Sequence, residues 1–225
     1  MSNKGFETSP AAIISLIRDN LHDRYAKGFP IIKEILQNAD DATKATCLHF
    51  GWCPGFLDDP HPLLRGPAVF FVNDGAFTGP DERAIRQFGQ GYKAAERASI
   101  GKFGLGLKRV FHLCEAFFYL WYPPHNEVGA AVSGNILNPW SGLCHATWDE
   151  VSDSTLQTIR DFLSSLLTEK NWFVLWVPLR RKAALEGIAP IIEAYPGDQL
   201  EPPNLDAVFC EELASQLARV LPQLH

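Results

Sequence analysis

Three polar residues lie about one helical turn apart among apolar positions: Glu34, Asn38 and Asp41, in the stretch KEILQNADDA at 33–42. At 100° per residue they fall within about 60° of one another, on the shoulder of a predicted helix that Pro30 opens. The apolar stripe of that helix comprises Ile31, Ile32, Ile35, Leu36 and Ala39. A shoulder is where a helix meets the wall of a cleft, so these three groups can line a site. A solvated helix face is the alternative interpretation.

A second group of polar residues follows a predicted buried strand, the apolar run AVFFVND at 68–74. Asp74 ends this run and Gly75 follows it. A carboxylate at the end of a buried strand can accept a hydrogen bond from an exocyclic amine of a ligand, and a glycine beside it allows close approach. An ordinary Asp-Gly turn has the same sequence, so this pattern alone leaves both interpretations open.

A glycine-rich stretch, GKFGLG at 101–106, leads into a predicted helical continuation from about Gly104. Backbone N–H groups at such a helix start form a cradle for phosphate. Between residues 83 and 109 there are seven Lys and Arg residues against the single acid Glu96, in a chain whose net charge is −6. This local positive charge favours a polyphosphate ligand, and a basic solvated helix face is the alternative. Neither the strand order of a Rossmann unit nor the GK[ST] of a P-loop accompanies the glycines.

The elements that must position these residues follow from the apolar periodicity. Predicted helices occupy 9–28, 30–42, 78–89, 154–170 and 204–225, and predicted strands occupy 45–52, 68–74, 116–122, 129–137 and 171–180. Strands mixed with helices in this order predict an α+β fold, a two-layer α/β sandwich with a mostly antiparallel sheet and helices on one face. We expect one domain over 1–180 and a C-terminal helical extension over 181–225 that continues into a longer protein.

The composition limits the class of protein. The chain of 225 residues is 46% hydrophobic and 20% charged, which is typical of a globular protein, and its pI of about 5.6 makes nucleic-acid binding unlikely. Five cysteines, at 47, 53, 114, 144 and 210, show no CxxC spacing. This argues against a disulfide framework and a zinc site. No apolar run approaches the ~20 residues that span a bilayer, and the first residues lack the apolar core of a signal peptide. We therefore expect a cytoplasmic protein without a membrane partner.

The order of the motifs resembles one protein family. A helix with E-x-x-x-N, a strand that ends in N-D-G and a G-x-x-G-x-G helix start follow one another as in the Bergerat-fold, or GHKL, ATPases. That group includes gyrase-type topoisomerase subunits, heat-shock-protein-90 chaperones, sensor histidine kinases and MutL. The stretches EILQNADDA, GKFGLGLKRVFHLCE and VLWVPLR look like the sacsin type of this domain, over roughly residues 10–180. The resemblance implies the Bergerat form of the α/β sandwich for the domain at 1–180.

The resemblance also implies a role for each matching residue. Glu34 would be the general base that activates the attacking water, and Asn38 would bind Mg²⁺. Asp74 would accept a hydrogen bond from the adenine amino group. The other nucleotide contacts would come from Asp41, Gly75, Thr78, Gly101, Lys102, Phe103, Gly104, Leu105 and Gly106. Residues from about 79 to 100 would form a lid over ATP.

Two positions depart from the family pattern. The second motif is usually D-x-G-x-G, whereas here Asp74 is followed by Gly-Ala-Phe-Thr at 75–78, without the second glycine. A Gly-Thr pair usually starts the late strand and supports the adenine contact, whereas here Asn171 and Trp172 occupy that place. The departures predict that adenine is bound more weakly or in a different arrangement.

The resemblance implies a Mg²⁺-dependent domain that binds ATP and hydrolyses it slowly, within a chaperone-like or regulatory protein. Its expected ligands are ATP, ADP and Mg²⁺, and its expected partners are neighbouring domains of a longer chain or a second copy. A nucleotide-binding interaction module without turnover is the alternative; the replaced Thr favours it and the intact Glu34 disfavours it. Sensor-kinase domains are a third class, and these usually lack a Glu at the position of Glu34.

Overall fold

A five-stranded antiparallel sheet, in the strand order β1-β2-β5-β3-β4, carries the other elements. The strands are β1 Leu48–Cys53, β2 Ala68–Asn73, β3 Phe117–Tyr122, β4 Ser133–Leu137 and β5 Trp172–Pro178. The helices are α1 Pro10–Asp23, α2 Phe29–Asp40, α3 Gly79–Arg86 and α4 Asp153–Phe162, with a 3-10 helix at Leu107–His112. The structure is a computed structural model that describes residues 10–23, 29–40, 45–86, 107–122, 132–139, 151–166, 172–185 and 189–198.

This arrangement confirms the predicted α+β class with an antiparallel sheet. Helices α1 to α3 form the helical layer of the sandwich, since their buried side chains share one core with one face of the sheet. Helix α4 is shorter than the predicted 154–170 and ends at Phe162. The predicted helix at 204–225 lies outside the described residues.

Both faces of the sheet are buried, because the central strands are apolar throughout. All six residues of β2 and all seven of β5 are buried. Successive side chains of a strand point to opposite faces. Val69 and Phe71 of β2 therefore pack with Ile31 and Ile35 of α2, whereas Phe70 belongs to the core on the other face.

Helix α4 lies on that other face, a position that the sequence pattern did not indicate. Ile159 of this helix and Leu163, which follows its last residue, are fully buried in the second core. The ring of Phe162 lies edge-on to Trp176, with 6.0 Å between the ring centroids. Ser152 starts the helix, and its Oγ accepts a hydrogen bond from Thr155 N at 3.2 Å. An amphipathic pattern specifies which side of a helix is buried, but not which face of the sheet receives it.

Residues 189–198, which follow the expected domain boundary at 180, pack on the core beneath α1 and α2. Ile191 is 1% exposed and belongs to that core. Arg18 of α1 donates from Nε to Ile191 O and from Nη2 to Pro190 O, both at 3.1 Å. The segment is therefore attached to the helical layer.

Gly51 of β1 leaves room for the ring of Phe70, its partner on β2. A Cβ at position 51 would lie 2.5 Å from Phe70 Cζ, and this ring stacks on Trp176 at 5.8 Å, which restricts its movement. We expect Gly51→Ala to lower the free energy of unfolding by about 1–3 kcal/mol, measured by urea denaturation. In the control Gly79→Ala the new Cβ would lie 3.6 Å from Arg83 Nη1, an ordinary contact, and the expected change is within about 0.5 kcal/mol. Equal losses in the two variants would contradict the steric explanation.

Candidate functional site

Asn38 is a buried amide on the inner side of α2. Its side chain is 7% exposed, and within the described part of the chain neither Oδ1 nor Nδ2 has a hydrogen-bond partner. The helix holds it there because Ile35 and Ala39, on the same side, are buried against the sheet. An unpaired buried amide costs about 1–3 kcal/mol. Such a group in a native protein calls for an explanation, and a ligand that pairs with it is one.

The Asn38 side chain lines a small cavity between α2 and the sheet. The walls come from α2, β2, β5 and the start of the 3-10 helix: Ile35, Asn38, Ala39, Phe71, Asn73, Leu107, Phe173 and Leu175. The cavity has a volume of about 20 Å³, which is enough for about one water molecule. Two amides in otherwise apolar walls can bind a polar atom of a ligand, and a larger ligand requires the walls to separate.

Asn73, rather than Asp74, is the polar residue of β2 that faces this cavity. It is the last residue of the strand and lies on the same side as Val69 and Phe71. Its side chain is 7% exposed, and its Oδ1 accepts a hydrogen bond from Gly75 N at 3.0 Å. Sequence reasoning missed Asn73, because a strand that is apolar on both faces shows no alternation that would reveal which polar residue faces α2.

Asp74 is buried as well, at 5% exposure, but its carboxylate is directed toward the residues that precede β1. Oδ1 accepts from Thr46 N at 2.6 Å and from Cys47 N at 2.9 Å, and Oδ2 accepts from Thr46 Oγ1 at 2.5 Å. These bonds fix the start of β1 against the end of β2. Asp74 is not among the described residues that line the cavity.

Thr78 starts helix α3. Its backbone N and its Oγ1 both donate to Asp81 Oδ2, at 2.9 and 2.5 Å, and Thr78 O accepts from Glu82 N at 2.9 Å. This is the hydrogen-bond pattern of a helix N-terminus. The exposed Thr78 therefore caps helix α3 and does not line the cavity. Gly75 is connected to the cavity wall, because its backbone N donates a hydrogen bond to Asn73.

Glu34 is half-buried on α2, one turn before Asn38. Asp41 and the glycine-rich stretch, with Gly101, Lys102, Phe103, Gly104, Leu105 and Gly106, lie outside the described residues. Leu107 directly follows that stretch and lines the cavity.

Lys108 is a buried cation at the same place, with 4% exposure. Its Nζ donates to Ile85 O in the last turn of α3, where helix carbonyl groups attract a positive charge. Burial lowers the pKa of Lys108 to about 8. The bond joins the 3-10 helix to α3. Lys108 directly follows Leu107, which lines the cavity.

Metal ligands of the usual kind do not cluster in the described residues, where no group of three His, Cys, Asp or Glu side chains could hold an ion. Mg²⁺ held by one amide oxygen, phosphate oxygens and waters does not need such a group. Each helix that the structure describes is too short or too polar to cross a bilayer.

Comparison with known proteins agrees with the sacsin part of the resemblance. A family model described as Sacsin domain matches residues 11–120. Sacsin from Homo sapiens is 32% identical over 121 residues, which amount to 50% of this chain and 3% of sacsin. The chain thus spans a small part of the length of this relative. The range 11–120 contains Glu34, Asn38, Asn73 and the glycine-rich stretch, and this range of the chain is similar in sequence to the sacsin domain.

Proposed function

We propose that this chain is a Mg²⁺-dependent ATP-binding domain that hydrolyses ATP slowly, as one module of a longer chaperone-like or regulatory protein. The observation that carries the proposal is the buried amide of Asn38, which lines the cavity without a hydrogen-bond partner among the described residues. A bound ligand atom at this amide would remove the free-energy penalty of the unpaired group. The similarity to the sacsin domain supports the same site.

The chemistry of Asn38 fits Mg²⁺. This hard cation prefers oxygen ligands and is usually bound by one or two protein oxygens together with phosphates and waters. Asn38 Oδ1 would provide the protein oxygen, and bound Mg²⁺ supplies charge neutralisation on the phosphates. Glu34, one turn earlier on α2, would orient the attacking water and accept its proton.

The phosphates would lie against residues 101–106. Backbone N–H groups of Gly101, Gly104 and Gly106 and the ammonium of Lys102 would bind them. The expected lid at 79–100 would be limited to the part that follows α3, because Ile85 is buried in the core. Leu107 supports this arrangement, because it directly follows the stretch in sequence and lines the cavity. Since the cavity holds about one water molecule, nucleotide binding must be coupled to separation of its walls, which lowers the apparent affinity.

Isothermal titration of Mg-ATP and Mg-ADP into the whole chain tests the proposal. We expect Asn38→Leu to weaken Mg-ATP binding by about tenfold or more, because the oxygen ligand is lost. The same variant should raise the free energy of unfolding by about 1 kcal/mol, because an unpaired buried amide is replaced by an apolar group of similar size. In the control Lys33→Met, at an exposed position of the same helix, both quantities should stay unchanged. Absence of Mg-ATP binding to the wild type, or equal binding by Asn38→Leu, would contradict the proposal.

Phosphate release separates an ATPase from an interaction module without turnover. We expect Glu34→Gln to bind Mg-ATP like the wild type but to hydrolyse it about 100-fold more slowly, because the general base is lost. If the wild type binds Mg-ATP but releases no phosphate, the nucleotide-binding module is the function instead.

A further inference from the structure

An apolar patch lies beside the second core, on the face of the sheet that carries α4. Of the three large apolar side chains that are exposed in the described part of the chain, Leu57 at 78% and Phe162 at 39% belong to it. The ring of Phe56, which directly precedes Leu57, lies edge-on to Phe162 with 5.8 Å between the ring centroids. Leu57 is a central residue of the turn that Asp59 N closes by donating to Phe56 O at 2.9 Å. The patch of Phe56, Leu57 and Phe162 is therefore a candidate contact surface.

The last described residues lie beside the loop that carries Leu57. A Cβ on Gly197 would lie 2.7 Å from Arg181 Cγ, and a Cβ on Gly66 would lie 2.5 Å from Arg181 Nε. The two glycines therefore pack against the same side chain. A Cβ on Gly55 would lie 2.5 Å from Gly66 O, so the two ends of the loop that contains Leu57 are in contact. The chain that continues from Gly197 thus starts at the end of the sheet where the patch lies.

The sequence that continues from there, outside the described residues, has the pattern of an amphipathic helix. Asn204 is a preferred N-cap residue, and Pro222 cannot continue a helix. The 17 residues between them would form a helix about 26 Å long. Five of their apolar side chains fall within about 120° of its circumference: Leu205, Phe209, Leu213, Leu217 and Val220. The link at 199–203 spans at most about 17 Å, which keeps the start of this helix close to the end of the sheet that carries the patch.

We propose that residues 204–221 form a helix that packs in cis on the patch of Phe56, Leu57 and Phe162. The patch and the apolar stripe of the segment each need an apolar partner, and the link between them is short. Packing of the stripe on Leu57 removes apolar surface of both from water, which stabilises the contact. Leu16 of α1, the third exposed apolar side chain, is 45% exposed and is the competing position. The inference does not depend on nucleotide binding.

Hydrogen exchange of the whole chain, followed by mass spectrometry, tests the inference. We expect the amides of 204–221 to exchange at least about tenfold more slowly than those of an unstructured peptide of the same sequence. Leu57→Glu should accelerate this exchange about tenfold, because a carboxylate replaces the side chain that the stripe covers. Since Leu57 is at an exposed turn, exchange in β2 and β5 should stay unchanged and report an intact fold. Leu213→Glu, which changes the stripe instead of the patch, should accelerate the exchange of 204–221 equally.

Leu16→Glu is the matched control and should leave the exchange of 204–221 unchanged. Acceleration in Leu16→Glu but not in Leu57→Glu would place the segment on α1 and overturn the inference, as would unprotected amides at 204–221 in the wild type. The double variant of Leu57→Glu and Leu213→Glu should exchange no faster than either single variant, because each already removes the same contact. Additive accelerations would contradict a direct contact. Protection that disappears on dilution, together with a dimer in sedimentation, would assign the contact to a second copy and overturn docking in cis.

Discussion

Arg180→Met is expected to lower the free energy of unfolding by about 3–5 kcal/mol. Arg180 is 3% exposed and forms a buried ion pair, in which Nε donates to Glu115 Oε1. Removal of the cation leaves the carboxylate charged in a region of low dielectric constant. The same carboxylate accepts from Ile191 N, with Oε1 at 3.0 Å and Oε2 at 3.2 Å. These bonds keep the Glu115 carboxylate in its buried position when Arg180 is replaced.

The remaining N–H groups of Arg180 close the end of the 3-10 helix. Nη2 donates to Phe111 O at 2.6 Å and to Cys114 O at 2.7 Å, and Nη1 donates to His112 O and Ala194 O, both at 3.1 Å. All five donors of the guanidinium group therefore have an acceptor. Arg180 therefore fixes the end of the 3-10 helix that follows the glycine-rich stretch in sequence.

Urea denaturation followed by circular dichroism measures this effect. Lys182→Met, two positions away and exposed, is the control and should change the free energy of unfolding by less than about 0.5 kcal/mol. Adding Glu115→Gln to Arg180→Met should recover part of the loss, because the uncompensated charge is removed. A loss below about 1 kcal/mol in Arg180→Met would show that the ion pair does not stabilise the fold as we infer.

Local features of the chain were predictable from the sequence. The apolar stripe and Pro30 predicted the helix that the structure gives as Phe29–Asp40, and the apolar run predicted a strand that the structure gives as Ala68–Asn73. Asn38 was singled out because its place beside the stripe follows from helical periodicity alone. These inferences depend only on neighbours within a few positions.

Relations between distant segments were not predictable in the same way. Arg180 and Glu115 are 65 positions apart, and no sequence pattern pairs them. The choice between Asn73 and Asp74 depends on strand alternation, which is hidden when both faces of a strand are apolar. The sequence therefore predicted polar residues at the end of β2. The structure was needed to show that Asn73 is the one that faces α2.

Lys108→Met is expected to remove a pH-dependent loss of stability. The pKa of Lys108 is lowered by burial from its ordinary 10.5 to about 8. Below pH 8 the folded chain must keep an ammonium group in a buried position, and the free energy of unfolding is lowest there. Between about pH 8 and pH 10.5 the unfolded chain still binds this proton and the folded chain does not, so stability rises with pH. At about 1.4 kcal/mol per pKa unit, the stability of the wild type relative to Lys108→Met should rise by about 2–3 kcal/mol from pH 7 to pH 10.

Comparing the wild type with Lys108→Met separates the titration of Lys108 from that of other groups that titrate at high pH. Burial raises the pKa of Tyr119 and of Tyr122 above the usual range, so both lower the stability as the pH rises, equally in the wild type and in the variant. Loss of the hydrogen bond to Ile85 O shifts the whole curve of Lys108→Met without changing its slope. Lys33→Met, which removes an exposed lysine, should give a curve parallel to that of the wild type. A parallel curve for Lys108→Met would mean that its amine does not change its protonation on unfolding in this pH range, and would contradict the buried position that joins the 3-10 helix to α3.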